Sequence, residues 1–113
     1  MKIYHNPRCR KSRETLALIR AAGVEPEIIE YLKTPPNGAE IAHLLRMLGI
    51  PAEKLVRKGE SIYKKQYKGK NLPEEDWIAA LVAHPKLIER PVVVQGERAV
   101  IGRPPENVKR LLD

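Results

Sequence analysis

Lys2-Ile3-Tyr4-His5-Asn6-Pro7-Arg8-Cys9-Arg10-Lys11-Ser12-Arg13 opens the chain, and Pro26-Glu27-Ile28-Ile29-Glu30-Tyr31 follows about one helix-length later. Lys2 to His5 alternates and stops at Asn6-Pro7, which reads as a short strand closed by a turn. Beyond it Leu16, Ile19 and Ala22 share one face with Thr15 beside them, and Gly23 offers a left-handed stop, so a helix is expected. Pro26 to Tyr31, with Ile28-Ile29 at its centre, reads as a second strand. Strand, helix and strand over this length form a βαβ unit, whose strands should be parallel and whose crossover should be right-handed.

Thr34-Pro35-Pro36-Asn37 then breaks the chain. Asn37 and Glu40 then have capping-box spacing, and Ile41, Leu44, Leu45 and Leu48 follow at helical intervals to Gly49. Pro51 to Val56 predicts one more short helix. Lys58 to Lys70 shows no period and is expected to be a loop. Pro73 with Glu74, Glu75 and Asp76 supplies a first turn that Trp77, Ile78, Leu81 and Val82 continue to His84-Pro85. Pro91 to Val94, a Gln95-Gly96-Glu97 turn and Arg98 to Ile101 read as a hairpin, and Pro105 to Leu112 as a closing helix.

The resulting layout is βαβ, a helical insertion over about 32–88, then ββα. It predicts a single α/β domain over 1–113 of thioredoxin-like, more narrowly glutaredoxin-like, form with a small mixed sheet. Pro91 opens the third strand, where a central strand tolerates proline, and in that fold a cis-proline commonly stands beside the thiol. Arg90-Pro91 is therefore expected to be cis.

At 113 residues the chain has material for one core. Hydrophobic residues make up 42%, with only Trp77 and four tyrosines as aromatics, so the core should be aliphatic. No apolar run approaches a membrane span, no signal-peptide pattern precedes the first strand, and one cysteine makes no disulfide framework; a cytoplasmic protein is expected. The net charge of +7 is compatible with nucleic acid, an acidic partner or a small oxyanion. No recognition-helix, zinc-finger or RNP-like pattern makes a nucleic-acid reading specific. The basic run from Lys54 to Lys70 reads most simply as a solvated face. His5, Cys9, His43 and His84 lack zinc-site spacing, so no metal is expected, and His43 and His84 read as structural.

Chemistry concentrates at Cys9. A thiol at the first turn of a helix meets unpaired N–H groups and the positive end of the helix dipole. Arg8, Arg10, Lys11 and Arg13 add cations, and both influences favour the thiolate, the nucleophilic form. Ser12, one turn along, could donate its hydroxyl to the sulfur.

These residues also resemble a known family. His5-Asn6-Pro7-x-Cys9-x-x-Ser12-Arg13-x-Thr15-Leu16 is similar to the active-site loop of glutaredoxin-dependent arsenate reductases, the ArsC family. The likeness continues through Glu30-Tyr31-Leu32-x-Thr34-Pro35-Pro36, Leu55-Val56-Arg57-Lys58, His84-Pro85-x-Leu87-Ile88-x-Arg90-Pro91-Val92-Val93-Val94 and Gly102-Arg103-Pro104. By that resemblance Cys9 is the nucleophile, Arg57, Arg90 and Arg103 hold the oxyanion, and Ser12 and His5 support the thiolate. It implies arsenate as substrate and arsenite as product, glutathione as co-substrate, glutaredoxin as protein partner and no bound cofactor. The family loop commonly has small residues beside its cysteine, whereas Arg8, Arg10 and Lys11 stand there in this chain.

Two other readings stay open from the residues alone. An Spx-like regulator that binds RNA polymerase shares the layout but carries a switching Cys-x-x-Cys, where this chain has Cys9-x-x-Ser12. A monothiol glutathione-dependent oxidoreductase would use Cys9 and the cis-proline without needing the arginines.

Overall fold

The computed structural model describes residues 1–112. The chain divides into two compact units. One is formed by Met1–Thr34 with the stretch from Arg90 onward, the other by Pro35–Glu89.

In the first unit the strands are β1 (Lys2–His5), β2 (Glu27–Glu30), β3 (Val92–Gln95) and β4 (Arg98–Ile101), in the order β2-β1-β3-β4. β1 lies parallel to β2, with Ile3 opposite Ile28 and His5 opposite Glu30, as the βαβ reading requires. Against β3 it runs antiparallel, with Lys2 opposite Val94 and Tyr4 opposite Val92. β3 and β4 form the expected hairpin, and Gly96 takes φ +62° in its turn, a conformation that needs no Cβ. Helix α1 (Arg10–Ala21) buries Ser12, Thr15, Leu16 and Ile19. Ile3, Leu16, Ile19 and Val93 pack with Val108 and Leu111 of the closing segment into one aliphatic core. Each such side chain contributes about 1.5–3 kcal/mol on burial. The closing segment is a 3-10 turn (Pro105–Val108) running into a one-turn α-helix (Lys109–Leu112), with Pro105 at a first position where its missing N–H costs no helix hydrogen bond.

The second unit is helical: α2 (Gly38–Leu48), α3 (Ala52–Leu55), α4 (Ser61–Gln66) and α5 (Glu74–Ala83), then a 3-10 turn (Pro85–Leu87). Asn37 and Glu40 form the reciprocal capping box at the start of α2. Both carboxylate oxygens of Glu74 accept the Ala52 N–H at 3.0 Å, which ties α5 to α3. Helix α4 corrects the loop expected over Lys58 to Lys70. It buries none of its residues, so no apolar period betrays it. What orders it is tertiary: Tyr63 stacks on Trp77 at 6.5 Å between ring centroids, and Tyr67 lies against both Trp77 and His84 at 6.0 and 6.1 Å.

The Arg90-Pro91 bond is cis, as expected, and Arg103-Pro104 is cis as well. Gly102 explains how β4 returns toward Pro91. Its N–H donates to the Pro91 carbonyl at 2.8 Å, and a Cβ there would stand 2.6 Å from Thr15 Oγ1 and 2.9 Å from Pro91 Cγ. Thr15 is fully buried and cannot retreat. Gly102→Ala should therefore cost about 1–3 kcal/mol, read as a lower urea midpoint at unchanged slope; an unshifted midpoint would show that α1 and the Pro91 turn yield easily.

Candidate active site

β1 ends at His5, and the loop that follows is built by Asn6. Asn6 Oδ1 accepts the Arg8 N–H at 3.0 Å, and its backbone carbonyl accepts the Cys9 N–H at 3.0 Å. This tight turn delivers Cys9 as the N-cap of α1, where its carbonyl accepts the Arg13 N–H at 3.0 Å. The Arg13 guanidinium returns to the Pro7 carbonyl at 2.8 Å and braces the loop from outside.

Cys9 is 9% exposed. Its sulfur faces the free N–H groups at the start of α1 without closing a side-chain cap hydrogen bond. Burial alone would push the thiol up. The Ser12 N–H, the Arg90 guanidinium and the Lys11 N–H outweigh it, so the thiol is held below its ordinary value. The cations that flank Cys9 in sequence are not the leading influence. Arg8, Arg10, Lys11 and Arg13 are all exposed, and Arg10 pairs with Glu14 at 2.9 Å. A side chain directed into water is screened, whereas backbone dipoles fixed beside the sulfur are not.

Arg103 comes from the turn after β4. Its Nη2 lies 3.8 Å from Sγ, and its Nε donates to the Arg90 carbonyl at 3.0 Å. Asn107 Nδ2 in turn holds the Arg103 carbonyl at 3.0 Å. Arg90, two residues before β3, has its guanidinium beside both Cys9 and Tyr31. The first unit thus brings Cys9, Arg90 and Arg103 together from three separate stretches of chain.

Ser12 and His5 are present but arranged differently from the sequence expectation. The Ser12 hydroxyl does not turn to the sulfur. It lies 2.6 Å from His5 Nδ1 and accepts the Asn6 N–H at 3.0 Å, so it locks the loop while the Ser12 backbone serves the thiol. Burial holds His5 below the ordinary histidine value against the opposing influence of Glu30, with Arg20 and Arg13 lowering it further. A neutral ring is therefore the resting form.

Arg57 belongs to the second unit. There its N–H donates to the Leu87 carbonyl at 2.6 Å next to a bridge between Val56 and Ile88, and its Nε lies 3.4 Å from Glu60 Oε1. His43 is exposed near Arg46, and His84 caps the end of α5. Among the described residues no group of three or more His, Cys, Asp or Glu is placed to hold a metal ion, and no helix is long and apolar enough to cross a membrane. Sequence reasoning passed over Asn6, Tyr31 and Asn107. Asn6 had a local signal, an Asx turn ahead of Pro7-Arg8; the other two act only across the fold.

Iodoacetamide alkylation of Cys9 should accordingly follow a pH profile with its midpoint below the free-cysteine range, and Arg90→Met should move that midpoint up. A midpoint that does not move would mean that Arg90 contributes nothing to the thiolate. His5 carries a second expectation. Because its folded pKa is depressed, the native state binds fewer protons than the unfolded one, so stability is full above about pH 6.5 and falls as pH drops through the folded value. His5→Gln should flatten that decline between pH 7 and 5 in urea titrations.

Comparisons with known proteins place the whole chain. The ArsC family model matches residues 4–111. The Escherichia coli K12 protein YfgD is 50% identical across 99% of this chain and 96% of its own. An arsenate reductase of Neisseria meningitidis serogroup A is 37% identical across 99% and 97%. A solved arsenate reductase structure from Vibrio cholerae superposes with a TM-score of 0.93 at 44% identity, over 98% of each chain. Matched by the family model and by such relatives over nearly its whole length, the chain belongs to the ArsC family.

Proposed function

We propose that this chain is an arsenate reductase whose single nucleophile is Cys9, with glutathione and a glutaredoxin supplying the reducing electrons. The observation that carries the reading is the Cys9 sulfur lying between the first-turn N–H groups of α1 and the guanidinium groups of Arg90 and Arg103. Arsenate is a tetrahedral oxyanion, and a sulfur anion approaching it meets like charge. Guanidinium groups relieve that repulsion, stay charged at any relevant pH and grip an oxyanion at two points. The same positive field keeps the sulfur ionised, so one arrangement serves nucleophile and substrate together.

In this reading Cys9 attacks arsenic and water leaves, giving a cysteine–arsenic(V) adduct. Glutathione then displaces a second water from arsenic, the glutaredoxin thiolate attacks the glutathione sulfur to form a mixed disulfide and leave two electrons on arsenic, and water cleaves the remaining Cys9–arsenic(III) bond, releasing arsenite and the Cys9 thiol. The chain has no second cysteine, so resolution requires a thiol from another molecule. His5 and Ser12 act through the loop they lock, and Arg57 is assigned as the third oxyanion arginine on the family pattern. The relatives named arsenate reductase support the substrate.

The test is NADPH oxidation coupled through glutathione reductase, glutathione and glutaredoxin. Arsenate should accelerate it, Cys9→Ser should abolish the arsenate-dependent rate, and Lys in place of Arg90 or Arg103 should lower kcat/KM by about tenfold or more, because a point charge loses the two-point grip. A rate no faster with arsenate than without it would refute the assignment.

A further inference from the structure

Tyr31 follows directly on β2 and is wholly buried, yet its hydroxyl has no hydrogen-bond partner among the described residues. Buried hydroxyls are nearly always paired, because an unsatisfied one forfeits its hydration for nothing in return. Phenylalanine would fill the same space without that penalty. The polar side chains that face the hydroxyl are Arg90 and Asn6, and it feels the Cys9 charge. Burial pushes the phenol above its ordinary value, so it keeps its proton and works as a hydrogen-bonding group, not a base.

The partners fit its two capacities. A guanidinium only donates, so toward Arg90 the hydroxyl can only accept. Asn6 Oδ1 already accepts the Arg8 N–H but keeps a second lone pair, so it can take the hydroxyl proton. Tyr31 thus stands between the arginine that precedes β3 and the loop that carries Cys9.

We propose that Tyr31 is the positioning residue for Arg90: when an oxyanion sits beside Cys9, an N–H of Arg90 not engaged by the anion rests on the Tyr31 hydroxyl, which donates onward to Asn6 Oδ1. The proposal rests on reading Arg90 as an oxyanion ligand. A guanidinium has five N–H groups, of which two form the fork on the anion. An acceptor behind the fork fixes the plane in which it grips, and a carboxylate in that place would neutralise the charge the site needs. A neutral phenol orients without neutralising. In the free protein the hydroxyl already stands beside Arg90 and Asn6 but closes no hydrogen bond of normal geometry with either; the bond closes when the anion fixes the plane of the guanidinium, so most of its contribution falls on the bound state.

The experiment uses the full chain with Tyr31→Phe, Arg90→Lys and the double variant. Free-protein stability is read by urea unfolding. Oxyanion binding is read as protection of Cys9 from iodoacetamide by arsenate and, separately, by inorganic phosphate. Tyr31→Phe should leave the urea midpoint unchanged or raised and the alkylation pH midpoint of the free protein unmoved, while the oxyanion concentration for half-protection rises about tenfold. In the Arg90→Lys background, Tyr31→Phe should add little, because the hydroxyl acts through the guanidinium. A lowered urea midpoint, an unchanged half-protection concentration, or effects that simply multiply in the double variant would each overturn the proposal. Should neither oxyanion protect the wild-type protein, Arg90 is no oxyanion ligand and the proposal falls with that premise. If protection shifts as stated while arsenate is never reduced, the positioning role stands and only the reductase assignment fails.

Discussion

Antiparallel pairing of Tyr4 with Val92 is the constraint on which the site depends. The two residues lie at opposite ends of the chain, and their register places Arg90 and Pro91 alongside the turn that leaves His5. A slip by one residue would send Arg90 to the other side of the sheet, because side chains alternate along a strand. Closure of so long a loop is costly in entropy, and the fully buried residues Ile3, Val92 and Val93 offset it.

Once that register is set, the Ser12 N–H, which outranks any cation, is joined at the sulfur by charge brought from a distance in sequence. Arg90 precedes β3, Arg103 follows β4, and the backbone dipoles of Lys11 and Ser12 complete the field. The cations beside Cys9 in the sequence are exposed, so water screens them from the thiol. Local charge density and local electrostatic effect are thereby separated, since direction and burial decide the second.

The polar network around the loop shows a division of labour among groups of similar chemistry. Ser12 spends its hydroxyl on His5 and Asn6, while its N–H faces the sulfur and favours the thiolate. Asn6 shapes the turn with its side chain and carbonyl. Neutral His5 accepts burial that a charged ring would resist. Inside the loop, rigidity is supplied by these neutral groups, while Arg13 braces it from outside.

The βαβ start, the capping box at Asn37, the C-terminal hairpin and the position of Cys9 at a helix start were legible in the chain, because each is encoded within a few neighbouring residues by period, turn chemistry or capping, and the cis bond at Pro91 followed from the fold they predict. Family likeness added the arginines by order along the chain. Helix α4 was not legible, since it buries nothing of its own and is ordered by Trp77 from another helix. The turning of the Ser12 hydroxyl, the grip of Asn107 on Arg103 and the burial of Tyr31 against Arg90 were decided by tertiary structure alone. Hydrogen bonds and desolvation depend on which groups end up within a few ångströms of one another, and a linear pattern does not carry that distance.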